Sequence, residues 1–326
     1  MGPAELTERQ DERWYEAQRW LWHQRKHARP GADIWHLRFH WPAENERLWR
    51  RVQEGTYRLS PMQVYRRADG QGVAQWSAAD ALVLKWCALH MDGKLPVHER
   101  CEHRRGHGGY VASVRKVRAA LETKAYRFVF RTDIRGYYRH IRKQQLWLQV
   151  SRFVTDERIL PLIRQYLWYS VEDGGEFRTP EKGIPKSCSL SPLMGASLLY
   201  HTDCGFSNRE GIYYARYMDD FLILTQTRWQ LRRCIAQLND SLDVSGFEQH
   251  PDKTFIGRIA RGFDWLGAWF EPGAAGLAPR SLRLHRERCL RLYEQTCRQG
   301  LTHEESMARV QAYGKRWLIH AGKLLP

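Results

Sequence analysis

The stretch that most constrains how this chain folds is GIYYARYMDDFLILT, residues 211–225. Two segments rich in β-branched and aromatic residues, 211–217 and 221–225, flank Met218, Asp219 and Asp220, which predicts a short hairpin with adjacent carboxylates at its tip. An Asp-Asp pair is often turn chemistry alone, because Asp is favoured in turns on its own account. Held between two apolar strands, however, the two like charges repel, and carboxylates crowded at one point bind a hard divalent ion such as Mg²⁺.

A third acid stands upstream. Residues 126–133, YRFVFRTD, have strand composition with period two, which sets Phe128, Phe130 and Thr132 on one face and Arg127, Val129, Arg131 and Asp133 on the other. That alternation predicts that Asp133 leaves the core side and enters a basic cleft. Charge points to the partner: 52 Lys and Arg against 36 acids give +16, which suits a polyanion such as RNA or DNA. An anionic membrane surface is the rival, but the chain has no run of roughly 18 apolar residues and no apolar signal segment at its start. The seven cysteines, at 87, 101, 188, 204, 234, 289 and 297, form no C-x-x-C pair, which excludes a zinc ribbon and favours reduced thiols in a cytoplasm. Cys101, His103 and His107 lack the second cysteine pair that would complete a zinc site.

Around this centre the pattern predicts mostly helices. An amphipathic basic helix is expected over 5–29, ending at Pro30-Gly31, and a second over 42–54. A hairpin follows, 62–67 returning over 72–76, then a buried helix over 78–91 and a glycine-rich basic loop leading into a helix that ends near 121. Beyond the central hairpin, 227–244 reads as a helix with Trp229, Leu231, Ile235 and Leu238 against the sheet. A linker over 271–279 precedes a basic helix over 280–299 and a last helix over 303–319.

Four motifs occur in order: Asp133 in D-x-x-G-Y-Y, the loop GIPKSCSLSP over 183–192, YMDD over 217–220, and FDWLGAWF over 263–270. Together they resemble the reverse transcriptase family, and its group II intron-type bacterial members in particular, from about residue 55 to the end. The resemblance implies an α+β right-hand polymerase with an antiparallel palm sheet backed by helices. The expected regions are a basic helical extension over 1–54, fingers over 55–122, a palm over 123–271 with a fingers insertion near 140–182, and a short helical thumb over 272–326. Family members usually continue into DNA-binding and endonuclease regions, so a free-standing enzyme is expected here.

By the same resemblance, Asp133, Asp219 and Asp220 hold two metal ions, assisted by the backbone carbonyl of Ile134. Mg²⁺ is the expected ion and Mn²⁺ the alternative. Lys253 lies near the leaving pyrophosphate as a general acid, Tyr138 excludes a 2′-hydroxyl, Arg66 and Arg67 reach the triphosphate, and Lys186 and Ser187 border the incoming deoxynucleotide. The implied reaction is RNA-templated DNA synthesis, with an RNA template and nascent DNA as partners and a dedicated noncoding RNA in phage defence or a mobile element as the setting. The sequence departs from the family at Gln75-Trp76, where a basic residue is usual, at Lys186 in place of Gln, and at Ser187 in place of Gly. Altered nucleotide selection is expected from these changes. Among rivals, a nucleotidyl cyclase lacks its G-G-[DE]-E-F hairpin here, an RNA-templated RNA polymerase is disfavoured by Tyr138, and three intact aspartates argue against an RNA-binding scaffold that has lost catalysis. Relaxed or non-templated nucleotide addition is a further alternative.

Overall fold

The computed structural model describes residues 11–66 and 70–325. In chain order the elements are α1 (Glu12–Gln24), α2 (Asp33–Phe39), α3 (Trp41–Gln53), β1 (Met62–Arg66), β2 (Gly72–Gln75), α4 (Ala78–Met91) and α5 (Gly109–Glu122). Then come β3 (Phe128–Asp133), α6 (Tyr137–His140), α7 (Lys143–Phe153), α8 (Leu160–Leu167), β4 (Val171–Asp173), β5 (Glu176–Arg178), α9 (Ser191–Leu198) and α10 (Tyr200–Ser207). The rest are β6 (Ile212–Tyr217), β7 (Asp220–Thr225), α11 (Arg228–Ser245), β8 (Phe255–Arg258), β9 (Phe263–Trp265), β10 (Ala268–Glu271), β11 (Ala274–Leu277), α12 (Pro279–Arg298) and α13 (His303–Gly322). The mixture is α+β, as expected.

Local chemistry sets many of the helix starts. Asp11 accepts the Trp14 amide at 2.8 Å to open α1, and Ser77 accepts the Asp80 amide at 3.0 Å to open α4. Thr227 and Thr302 each form a full capping box, with Gln230 and Glu305. Gly246, at φ +76°, ends α11 in the left-handed conformation that glycine takes without strain. The first helix is shorter than its pattern predicts. Residues 1–10 lie outside the described chain, and α1 stops at Gln24 because Arg25 turns in to bond Asp33 at 3.0 Å and the Trp76 carbonyl at 2.6 Å.

The chain divides into two compact units, each built from two stretches of sequence. One takes in the described residues of Met1–Val97 and Gly136–Tyr200. Its sheet runs β2-β1-β4-β5, with β1 and β4 parallel and the other pairs antiparallel. Trp14, Trp49 and Trp86 meet edge-on at 5.2–6.4 Å in its core, the geometry that aromatic quadrupoles favour.

The other unit takes in His98–Arg135 and the described residues of His201–Pro326. Its main sheet runs β6-β7-β3-β8, antiparallel throughout. A smaller sheet, β11-β10-β9, stands beside it. The main sheet is buried on both faces, which corrects the expectation from simple alternation. Val129, Leu222, Leu224 and Ala215 pack with Val114 and Val117 of α5 and with Phe263, Trp265 and Phe270 of the small sheet. Phe130, Phe221, Ile223 and Tyr214 are buried on the opposite face, where α11 packs and Phe206 of α10 stacks on Tyr214 at 4.9 Å. Asp133 therefore sits at the end of a covered face, only 4 % exposed.

Two further expectations change. The buried stripe of α11 is Leu231, Cys234, Leu238 and Leu242, whereas Trp229 is exposed with Arg233 over its ring at 4.5 Å. Position 229 falls in the first turn, off the stripe, and a cation covers its indole instead. The expected linker over 271–279 contains β11, which pairs with β10 from Ala268↔Leu277 to Glu271↔Ala274. Small residues there carried no strand signal of their own, and the pairing partner supplies the order.

Candidate active site

The acids converge because two strands end together. β3 and β7 pair antiparallel with Asp133 directly opposite Asp220, and β7 pairs β6 with Asp220 opposite Tyr217. That leaves Met218 and Asp219 as a two-residue turn. Carboxylate oxygens of Asp133, Asp219 and Asp220 all lie within 4.8 Å of one another, and among the described residues no other group of three metal-ligating side chains does so.

The turn is held rigidly by its main chain. Met218 sits at φ +56°, a conformation that a side chain with a Cβ adopts at a cost of about 1–3 kcal/mol. Three hydrogen bonds stabilise it. The Met218 amide donates to His103 Nδ1 at 2.9 Å, the Met218 carbonyl accepts from Arg216 Nη1 at 2.9 Å, and the Asp219 carbonyl accepts from the Ile134 amide at 3.1 Å. Arg216 is fully buried and donates to both carboxylate oxygens of Asp203 at 2.6 and 2.7 Å, while the Tyr214 hydroxyl donates to Asp203 at 2.6 Å. Asp203 is 0 % exposed, an acid wholly inside the protein.

Arg216 was not singled out from sequence, and His103 was considered there only as part of a zinc site and set aside. An Arg beside a hairpin tip reads as solvated, and only the arrival of Asp203 from α10 makes it interior. The available signal was an Arg in β6 whose preceding residues on both faces, Tyr214 and Ala215, are core.

Lys253 ends a single 3₁₀ turn over Pro251–Lys253 and donates from Nζ to Asp133 Oδ2. The main chain of the same segment is anchored by the His250 amide, which donates to the Asp133 carbonyl at 2.7 Å. One cation against three carboxylates leaves the cluster short of positive charge. Burial first, and then the charge of Asp133, push the Asp219 carboxyl up to about 6. Burial first, and then the charges of Asp133 and Asp219, push Asp220 up to about 7. Three hard oxygen donors crowded against unbalanced repulsion are the donor set that divalent cations fit.

The other expected residues belong to the first unit. Tyr138, in α6, is buried with its ring 5.3 Å from that of Tyr137, and its carbonyl accepts from the Ile184 amide at 2.9 Å. Gly183 needs to be glycine there: at φ +86° its Cβ would lie 2.8–2.9 Å from the Arg139 and Tyr138 carbonyl oxygens. Lys186 and Ser187 are exposed. Arg66 forms an exposed ion pair with Asp173 of β4 at 3.1 Å. Arg67 lies outside the described residues. The structure thus brings together Asp133, Ile134, Asp219, Asp220 and Lys253, and describes Tyr138, Lys186, Ser187 and Arg66 within a separate unit.

The family profile described as reverse transcriptase (RNA-dependent DNA polymerase) matches residues 95–270. Protein YkfC of Escherichia coli (strain K12) is 25% identical over 182 residues, covering 43% of this chain and 46% of that protein. The chain therefore spans less than half the length of this curated relative. Among solved structures, apo telomerase from Candida tropicalis, truncated from its C-terminal domain, aligns with TM-score 0.45 and 13% identity over 61% of this chain and 45% of that one. Telomerase from Candida albicans in complex with a TWJ fragment of telomeric RNA aligns with TM-score 0.47 and 14% identity over 61% and 38%. The profile covers more than half of the 326 residues, including all three acids and the β6–β7 hairpin, and on that match the chain belongs to the reverse transcriptase (RNA-dependent DNA polymerase) family.

Proposed function

We propose that the protein is an RNA-directed DNA polymerase that joins deoxynucleoside triphosphates to a primer 3′-hydroxyl. The observation that carries this reading is the convergence of Asp133, Asp219 and Asp220, in a member of this family, with carboxylate oxygens within 4.8 Å. These side chains would hold two divalent ions, Mg²⁺ in preference to Mn²⁺, which when bound supply activation of the 3′-hydroxyl and neutralisation of the departing pyrophosphate. The remaining work belongs to the protein. Asp133 bridges strand and site, Asp219 is presented by a turn whose main chain is pinned on three sides, and Asp220 is set opposite Asp133 by strand pairing. Lys253, paired with Asp133, would serve as proton donor to the leaving pyrophosphate. Buried Tyr138 is assigned to the sugar of the incoming nucleotide, and Arg66, Arg67, Lys186 and Ser187 to its phosphates and base.

A charge of +16 supports an RNA template and nascent DNA as partners. The group II intron-like motifs support a dedicated noncoding RNA as template, in phage defence or element mobility. All seven cysteines are free thiols, which supports a reducing cytoplasm. Among the described residues no helix is long and apolar enough to cross a membrane.

The test is extension of a primer on an RNA template with deoxynucleotides, alongside sequencing of the RNA that co-purifies with the chain. Asp219→Ala and Asp220→Ala should abolish product. Product equal to that of the parent protein would defeat the catalytic assignment and favour an RNA-binding scaffold.

A further inference from the structure

Lys253 is not alone in carrying positive charge toward the acids. Arg131 lies two residues before Asp133, on the same face of β3. Strand pairing sets Asp133 opposite Asp220 and Arg131 opposite Leu222, so Arg131 and Asp220 are diagonal neighbours on one face of the sheet. Such neighbours stand roughly 7–8 Å apart, a gap that a long side chain spans. The charge of Arg131 is felt there: burial, then Asp133 and Asp219, raise the Asp220 carboxyl, and Lys253 and Arg131 act against that rise.

Arg131 nevertheless bonds elsewhere. Its Nη1 donates to Asp264 Oδ2 at 3.2 Å, and Asp264 belongs to β9 of the small sheet. Both side chains are mostly buried, Arg131 16 % and Asp264 25 % exposed, so solvent ions screen the pair weakly. Asp264 is held by its own strand, where it pairs with Trp269 of β10 and stands between the core residues Phe263 and Trp265. The guanidinium is only partly satisfied, since its Nε is buried without a hydrogen-bond partner among the described residues. Asp264 and Asp220 therefore compete for one cation. A guanidinium seated on Asp220 would bond the carboxylate through its fork and occupy the oxygens that a divalent ion needs.

We propose that Asp264 is a positioning residue for the acid site, which holds Arg131 back from Asp220 and so keeps the three carboxylates open to divalent metal. This role rests on the reading of Asp133, Asp219 and Asp220 as metal ligands. It divides the two cations of the site: Lys253 stays on Asp133, and Arg131 is kept on a neighbouring strand by an acid that binds no metal itself.

The experiment is binding of Mn²⁺ to the full chain without nucleic acid, read from the paramagnetic resonance of the free ion, with melting temperature and primer extension measured on the same preparations. Asp264→Ala removes the acceptor and should weaken Mn²⁺ binding by about fivefold or more, as a unit charge released toward the acids requires. Arg131→Gln should tighten it by about threefold. The two substitutions together should bind Mn²⁺ like Arg131→Gln alone, because Asp264 acts through Arg131. Arg131→Met, whose stem fills the same space, replaces Arg131→Gln in this cycle if the glutamine variant does not fold. A pair that only joins the two sheets would lower the melting temperature and leave Mn²⁺ affinity within about twofold of the parent's, which overturns the proposal. So does an Asp264→Ala effect of equal size with and without Arg131, because the carboxylate would then act by its own charge. Mn²⁺ binding that survives Asp219→Ala would overturn the metal reading itself, and the role of Asp264 with it. A parent protein that shows the whole Mn²⁺ pattern but extends no primer would overturn the polymerase reading and leave Asp264 as assigned.

Discussion

Arg216 shows how much of an active site can rest on a side chain that touches no substrate. It joins a buried acid to the carbonyl of Met218, the residue whose left-handed backbone lets Asp219 face Asp133. Removing one partner of a fully buried ion pair leaves the other charge uncompensated, at about 3–5 kcal/mol. Asp203→Asn and Arg216→Gln should therefore each lower the melting temperature and the extension rate. The double variant Asp203→Leu with Arg216→Met should recover most of the stability, since apolar replacement of a buried pair is often neutral, yet stay slow because the Met218 carbonyl loses its donor. Equal recovery of rate and stability would show that the pair only fills space.

The carboxylates make a second residue-scale prediction. Asp219 and Asp220 titrate at about 6 and about 7 in the folded chain, above the ordinary carboxylate range. Between that range and 7 the folded state binds more protons than the unfolded state, so stability falls as pH rises through this window. In chelator, the melting temperature should drop from pH 5 to pH 8, less so in Asp219→Asn and Asp220→Asn, and Mg²⁺ should restore it at pH 8. A parent slope no steeper than that of the variants would refute the crowding argument. Tyr138→Val should raise ribonucleotide incorporation relative to deoxynucleotide, measured by competing the two on one template, if its ring guards the sugar.

At the scale of elements, strand ends matter more than strand composition. β3 reads from sequence as half-buried, but α5 and the small sheet cover the face that alternation left open, and Asp133 is placed there at the strand's last position, opposite the first residue of β7, Asp220. The loop before α9 makes the same point with one glycine. Gly183 donates to the Ile141 carbonyl at 2.8 Å while Ile184 donates to that of Tyr138, and a methyl group at 183 would press on the carbonyls of Tyr138 and Arg139. Gly183→Ala should cost about 1–3 kcal/mol in stability, from left-handed backbone and close contact together. Because it moves the main chain of Tyr138, it should also change discrimination against ribonucleotides; loss of stability with discrimination intact would separate the loop from that residue's role.

For the whole molecule, charge is the dominant property. With +16 overall and a helix, α12, rich in exposed arginines, RNA affinity should fall steeply with salt, its logarithm linear in that of the salt concentration. Arg286→Gln with Arg288→Gln should flatten that slope by about 1–2 if both meet phosphates, measured by anisotropy across a salt series. A slope equal to the parent's would remove α12 from the interface.

The three aspartates, the hairpin that carries two of them, α4 to its exact ends and the basic character were legible in the sequence because each depends on nearest neighbours along the chain: turn residues, side-chain period and net charge. The burial of Asp133, the pairing of Asp203 with Arg216, the support from His103 and the strand β11 were decided only by tertiary structure. Each arises from a partner distant in sequence, and whether a charged or small residue is solvated, buried or paired is set by what the fold brings against it.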